Sequence, residues 1–231
     1  MNRQLIQLKE WQDILEYIDT NDYQIPMSTV EYIMQHASLL PKDAYSKGQL
    51  ASKSWLLQSL SEVLAKEPMQ LTTVGIVGSW IGTLVEPLLL NKAYDIQRVY
   101  GFDMDPRAIE LSEKLNNKYV SDNWRYKGVV ADASKLDFSN LQFETSGELI
   151  DTHLDLIINT SCEHMNMDWF DSIDNETLIV MQTNNSPNFE GHINVCEDFE
   201  EMGIRYKMHT LYRGELQTPV YTRYMQIGFK A

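Results

Sequence analysis

Three short stretches carry the residue types that chemistry needs. In Val74-Gly75-Ile76-Val77-Gly78-Ser79-Trp80-Ile81-Gly82 a β-branched run ends in glycine. Glycine has no Cβ, so a tight turn there lets backbone N–H groups approach a ligand at the start of a helix. The order does not match the G-x-G-x-x-G dinucleotide fingerprint, which disfavours a nicotinamide cofactor. In Val99-Tyr100-Gly101-Phe102-Asp103-Met104-Asp105-Pro106 an acidic side chain, Asp103, ends a second apolar run. An ionised carboxylate offers only acceptor sites, so at such a strand end it can take both hydroxyls of a ribose. Asp105 reads instead as a helix N-cap, with Pro106 at the first helical position. The third stretch, Asn159-Thr160-Ser161-Cys162-Glu163-His164-Met165, offers His164 and Glu163 as a catalytic acid/base pair, because histidine titrates near neutrality and a carboxylate can orient or charge it. Adjacent side chains point apart unless a turn bends them together. Cys162 with His164 is one fragment of a metal site, so no metal is expected, and Cys162 reads as a small buried thiol.

Elements of regular structure must bring these stretches together. Up to about residue 70 the pattern is helical: Leu5, Leu8, Trp11, Leu15 and Ile18 recur at helical spacing, as do Val30, Ile33, Met34, Ala37 and Leu40, and then Leu50, Leu57, Leu60, Val63 and Leu64. From Thr72 the texture becomes short apolar runs followed by Gly, Asp or Asn clusters and helix-like stretches, the mark of repeated βαβ units. The spacing predicts strands at Thr73–Val77, Arg98–Phe102, Arg125–Val130, Leu154–Ile158 and Thr177–Gln182, and helices at Leu84–Leu90 and Pro106–Leu115. Two alternating segments, Arg205–Leu211 and Arg223–Phe229, joined by a loop holding Gly214 and Pro219, close the chain as an antiparallel pair. The expectation is an α/β protein with a doubly wound, mostly parallel seven-stranded sheet. It carries an antiparallel C-terminal strand and an N-terminal helical extension (residues 1–70) ahead of the sheet domain (71–231).

In their order, the glycine-ended strand and the Gly101-Phe102-Asp103-Met104-Asp105-Pro106 run with Ala108 and Ile109 resemble the first two motifs of the class I S-adenosylmethionine (SAM) dependent methyltransferases. Val129-Val130-Ala131-Asp132-Ala133 is similar to that family's third strand end, and Leu154-Asp155-Leu156-Ile157-Ile158-Asn159 to its fourth. The resemblance spans about residues 72 to 183. It implies SAM as cofactor, held by Gly78, Ser79, Trp80, Gly82, Asp103, Met104, Asp132, Ala133 and Asn159, and methyl transfer to an acceptor as the activity. Two positions depart from the pattern: Ile76 stands where the family usually has an acidic residue, and Trp80 where it has a second turn glycine. The altered turn leaves open a SAM-dependent aminocarboxypropyl transfer, as in nicotianamine-synthase-like proteins, and a noncatalytic binding module.

Composition narrows the partners. The net charge of −14 repels phosphate backbones, so a small-molecule or protein acceptor is favoured and nucleic acid disfavoured. A local basic cluster could override this if Lys47, Lys53, Arg205, Lys207, Arg213 and Arg223 came together. Gln49, Lys53 and Trp55 could touch cofactor or acceptor, or form a solvated helix with Trp55 in the core. Gln182-Thr183-Asn184-Asn185-Ser186-Pro187 could line an acceptor pocket or form a plain turn. No apolar run of about 20 residues exists to span a bilayer. The opening Met1-Asn2-Arg3-Gln4 lacks a signal-peptide pattern, so a cytoplasmic location is expected. Cys162 and Cys196, the only cysteines, are expected as reduced thiols.

Overall fold

The computed structural model describes residues 40–145 and 148–231, together with Gln35. The helices expected along Leu5 to Ile18 and Val30 to Ala37 lie outside the described residues. Within them the chain builds a seven-stranded sheet and a separate two-stranded one. The strands are β1 (Thr73–Val77), β2 (Arg98–Asp103), β3 (Tyr126–Val130), β4 (Leu141–Thr145), β5 (Glu148–Thr152), β6 (Leu156–Asn159), β7 (Leu178–Asn184), β8 (Met208–Gln217) and β9 (Thr222–Lys230). The large sheet runs β3-β2-β1-β6-β7-β9-β8. All its pairings are parallel from β3 through β7, and β9 is antiparallel to both of its neighbours.

Central strands such as Leu156-Ile157-Ile158-Asn159 are continuously buried, as strands covered on both faces must be. Successive residues alternate between two cores. Leu156, Ile158, Leu178 and Val180 pack with Leu56, Leu60 and Leu88 on one face, and Ile157, Ile179 and Met181 pack with Trp169, Phe170 and Tyr206 on the other. The helices are α1 (Lys47–Lys66), α2 (Val85–Leu90), α3 (Pro106–Leu115), α4 (Asn117–Ser121), α5 (Asp168–Asp171) and α6 (Phe199–Arg205). Helix α1 shares the first core through Leu56, Leu60 and Val63, and Ser52 on it donates a 2.6 Å hydrogen bond to Gln182 of β7. Asp105 caps α3 by accepting from the Arg107 N–H. No helix among the described residues is long and apolar enough to cross a membrane.

Three expectations need correction. The first closing strand was expected from Arg205, but Arg205 ends helix α6 and β8 begins at Met208. Gly214 lies inside β8, paired with Met225, and not in a loop; a Cβ there would meet the Tyr212 ring first, with Cζ at 2.9 Å, and then the Trp55 ring of α1 at 3.1 Å, so the missing side chain leaves room for both. The β4–β5 hairpin was not foreseen. It occupies the β3-to-β6 crossover, where such a unit usually carries a helix, and Phe143 stacks on Tyr100 of β2 with ring centroids 4.7 Å apart.

Strand order reverses around β1, between β2 and β6. In open α/β sheets the crevice at the carboxyl ends of the strands at such a point is where ligands bind. The three chemistry-bearing stretches all end there.

Candidate functional site

The first wall is the turn after β1. Gly78, Trp80 and Gly82 have φ of 65°, 48° and 70°, so the backbone is left-handed at three positions in five. Glycine adopts this freely; a tryptophan at positive φ stores strain of about 1–3 kcal/mol. The turn is tied to β2. The Ser79 N–H donates to the Phe102 carbonyl at 3.0 Å, and the Trp80 N–H donates to Asp103 Oδ2 at 2.8 Å. The Asp105 N–H donates to Asp103 Oδ1 at 3.0 Å. The half-buried Asp103 carboxylate is therefore oriented through both oxygens. A carboxylate has about four lone-pair sites, so each oxygen keeps one for an incoming hydroxyl. The Ser79 hydroxyl is buried beside Gly101.

Beside Asp103, Met104 is 72% exposed and Val130, its cross-strand neighbour's side chain on β3, is 55% exposed. Two uncovered apolar groups next to a hydroxyl-accepting carboxylate suit a flat heterocycle. Asp132 is spent mainly on its own turn. Its Oδ1 accepts from the Ser134 N–H and hydroxyl, and its Oδ2 pairs with Lys135 at 2.9 Å. The Lys135 and Ser134 hydrogen bonds hold its carboxyl below the usual range. Ala133 packs against the second core.

The second wall is the loop after β6. Asn159 is fully buried, accepting from the Ser161 N–H at 2.8 Å and donating to Met165 Sδ at 3.2 Å. It shapes residues 160–165 so that Met165 and Ser161 lie against the glycine turn, 3.2 Å and 3.5 Å from where a Gly78 Cβ would be. Glu163 and His164 share a short 3-10 turn, Cys162–His164, yet no hydrogen bond joins their side chains. The Glu163 carboxylate is buried, with Oε1 accepting from Asn184 at 2.6 Å and from Arg223 at 3.4 Å. The exposed His164 places Nδ1 3.2 Å from the Gly191 carbonyl. Burial pushes the Cys162 thiol well above its ordinary range, and the Glu163 charge adds to this, so it is no nucleophile.

The third wall comes from residues that sequence reasoning had not assigned a site role or had left open. The loop after β7 folds onto the Cys162–His164 turn through the Ile193 and Asn194 N–H groups, which both donate to the Glu163 carbonyl. It carries His192 to His164, ring centroid to centroid 4.6 Å. Of the basic residues considered as a cluster, Arg223 is buried and donates to the Thr160 carbonyl, while Arg205 is engaged with Asn194 and Glu201. Burial draws the Lys53 ammonium down to about 7, with the Arg223 charge lowering it further and Asp43 opposing. The only signal for His192 is its place in a loop with Asn185, Pro187, Asn188 and Gly191 after a predicted strand. A separate cavity of about 300 Å³ lies between the hairpin and the β2–β3 edge, lined by Arg98, Trp124, Lys127 and Phe143, toward the other end of β2 from Asp103.

No protein-family model and no curated protein matches this chain. Among solved structures it is similar to magnesium protoporphyrin IX methyltransferase (ChlM) from Synechocystis PCC 6803 with bound SAH, at 10% identity and a TM-score of 0.57 over 93% of this chain and 99% of that one. It is similar to the N-methyltransferase NodS from Bradyrhizobium japonicum WM9, at 13% identity and a TM-score of 0.55 over 77% of this chain and 95% of that one. It is also similar to MtNAS in complex with MTA and tNA, at 12% identity and a TM-score of 0.50 over 97% of this chain and 70% of that one. At these identities the likeness establishes the fold, which is the Rossmann-like fold of class I SAM-dependent methyltransferases.

Proposed function

We propose that the protein is a SAM-dependent methyltransferase whose acceptor is a small molecule or a protein. The observation that carries this reading is the Asp103 carboxylate, fixed by the Trp80 and Asp105 N–H groups at the switch point of the sheet. Both oxygens retain acceptor capacity for a ribose, and the uncovered Met104 and Val130 stand beside them for the adenine. When bound, SAM supplies a methyl group already activated by its sulfonium.

The work left to the chain is alignment and exclusion of water. Asp103 fixes the sugar. The left-handed turn from Gly78 to Gly82 forms the floor, and the loop of Asn159, Ser161 and Met165 forms the opposing side. Glu163 and His164 belong to the acceptor end. The buried Ile76 offers no charge to an amino-acid ammonium, so another carboxylate must meet it. The overall charge of −14 weighs against a long polyanionic acceptor. A cytoplasmic setting accords with this cofactor.

Aminocarboxypropyl transfer is the second reading, favoured by Trp80 in the turn and by the similarity to MtNAS. Incubation with methyl-labelled SAM and fractionated cell extract separates the two. Label in an acceptor with S-adenosylhomocysteine released supports methyl transfer, and methylthioadenosine released supports the other arm. Failure to bind SAM at millimolar concentration overturns both and leaves a noncatalytic module.

A further inference from the structure

Sequence spacing gave no reason to expect a metal here, because Glu163 and His164 are adjacent and His192 lies in another loop. The fold brings one ligand atom from each of the three to within 4.8 Å of the others. We propose that Glu163, His164 and His192 form a binding site for a divalent first-row transition-metal ion.

Proximity alone would carry little, but two further features point the same way. Glu163 is 2% exposed, and its Oε2 is buried with no hydrogen-bond partner. An unpaired carboxylate oxygen held from water costs several kcal/mol unless a cation or donor meets it, roughly 1–3 kcal/mol even on mutational scales. Oε1 does not share this problem, since Asn184 and Arg223 donate to it. Such outer hydrogen bonds are what hold a ligating carboxylate in place.

The second feature is the histidine tautomers. His164 Nδ1 lies 3.2 Å from the Gly191 carbonyl, and His192 Nδ1 lies 2.6 Å from the Ser186 carbonyl. A carbonyl can only accept, so in both rings the network assigns the proton to Nδ1 and leaves the Nε2 lone pair for a metal. A backbone carbonyl orienting the distal nitrogen is the usual second shell of a metal-bound histidine.

Ligand atoms around a tetrahedral ion with bonds near 2.0–2.1 Å lie about 3.3 Å apart. Small shifts of the exposed His164 and the half-buried His192 toward the buried Glu163 would close the remaining gap. Two imidazoles and one carboxylate select Zn²⁺, Co²⁺, Mn²⁺ or Fe²⁺ over Mg²⁺ or Ca²⁺. Three protein ligands leave open positions on the ion. On the methyl-transfer reading, on which this last step alone rests, those positions take an oxygen of the acceptor and lower its pKa.

The test is metal uptake by the full chain, freed of affinity tag and treated with chelator. It is titrated with CoCl₂ and read by visible absorption and calorimetry, with MgCl₂ in parallel. One Co²⁺ per chain, bound more tightly than Mg²⁺, is expected. His164→Ala and His192→Ala, which leave the buried Glu163–Arg223 pair alone, should each weaken Co²⁺ binding at least tenfold, and His209→Ala on β8 should not. No uptake at millimolar CoCl₂, Mg²⁺ bound as tightly as Co²⁺, or uptake unchanged in both site variants overturns the proposal. None of these readouts needs SAM, so failure here and failure of the methyl-transfer reading are separately visible.

Discussion

The backbone N–H of Trp80 donates to the carboxylate of Asp103 at 2.8 Å, so the turn after β1 and the acid at the end of β2 are one unit. A bulky residue with φ of 48° stays in the left-handed region because this hydrogen bond and the flanking glycines hold it there. The arrangement does in the backbone what a second glycine would do without strain.

Asp103→Ala should therefore damage both the turn and nucleoside binding. Two charge-assisted hydrogen bonds to ribose hydroxyls at about 1.5 kcal/mol each amount to roughly a hundredfold in affinity. Calorimetry with S-adenosylhomocysteine measures it. Affinity unchanged from wild type would remove the basis of the cofactor assignment.

Gly82 is constrained in conformation and in space. Its φ is 70°, and an added Cβ would lie 2.8 Å from Asn116 Nδ2 and 3.0 Å from Ser112 Cβ. Asn116 cannot step aside cheaply, because its amide donates to the carbonyls of Gly82 and Ser112. Gly82→Ala should lower stability by about 2–3 kcal/mol, roughly 4–12 °C in melting temperature for a chain of this size. Differential scanning calorimetry checks it, and a drop under a degree would show the turn to be pliable.

The parts of this fold written in local pattern were legible. A short apolar run and the glycine that follows it located β1 at Thr73–Val77, and Asp105 with Pro106 marked the start of α3. The β4–β5 hairpin was missed although Leu141-Gln142-Phe143-Glu144 alternates as a half-buried strand does, because the run is short and its partner, the Tyr100 face of β2, is a tertiary feature. Asp103 was readable because a strand-end acid is a one-dimensional signal. The Glu163–His164–His192 grouping was not, since a hydrogen-bonded loop some 28 residues downstream assembles it, and loop closure has no sequence period.

Lys53 gives a pH signature. Its pKa falls to about 7 in the fold, against 10.5 for the free side chain. Between those values the unfolded chain holds a proton that the folded chain has released, so stability rises as pH climbs from about 7 toward 10.5. Below 7 the folded state must accommodate the ammonium, facing the like charge of Arg223, with Asp43 and the Gln49 carbonyl oxygen as its partners. Lys53→Met should abolish that rise and be more stable, relative to wild type, at pH 6 than at pH 10. Urea unfolding of chelator-treated protein across this range measures it, and parallel profiles for the two proteins would place the lysine in ordinary solvent.

Glu163 and Arg223 are both buried, their side chains 2% and 7% exposed, with Oε1 and Nη2 3.4 Å apart. Removing one member of such a pair leaves an uncompensated charge, so Arg223→Met should cost about 3–5 kcal/mol. Glu163→Gln should cost less, because a glutamine oxygen still accepts from Asn184 and the Arg223 guanidinium keeps the Thr160 carbonyl. In the double variant the stranded carboxylate is gone. Its loss should fall short of the sum of the singles by about 1–3 kcal/mol. Urea unfolding in the presence of chelator reads this coupling without any contribution from bound metal. Singles that add to within about 0.5 kcal/mol would mean that Asn184 and Thr160, and not the mutual attraction of the pair, hold the loop after β6 in place.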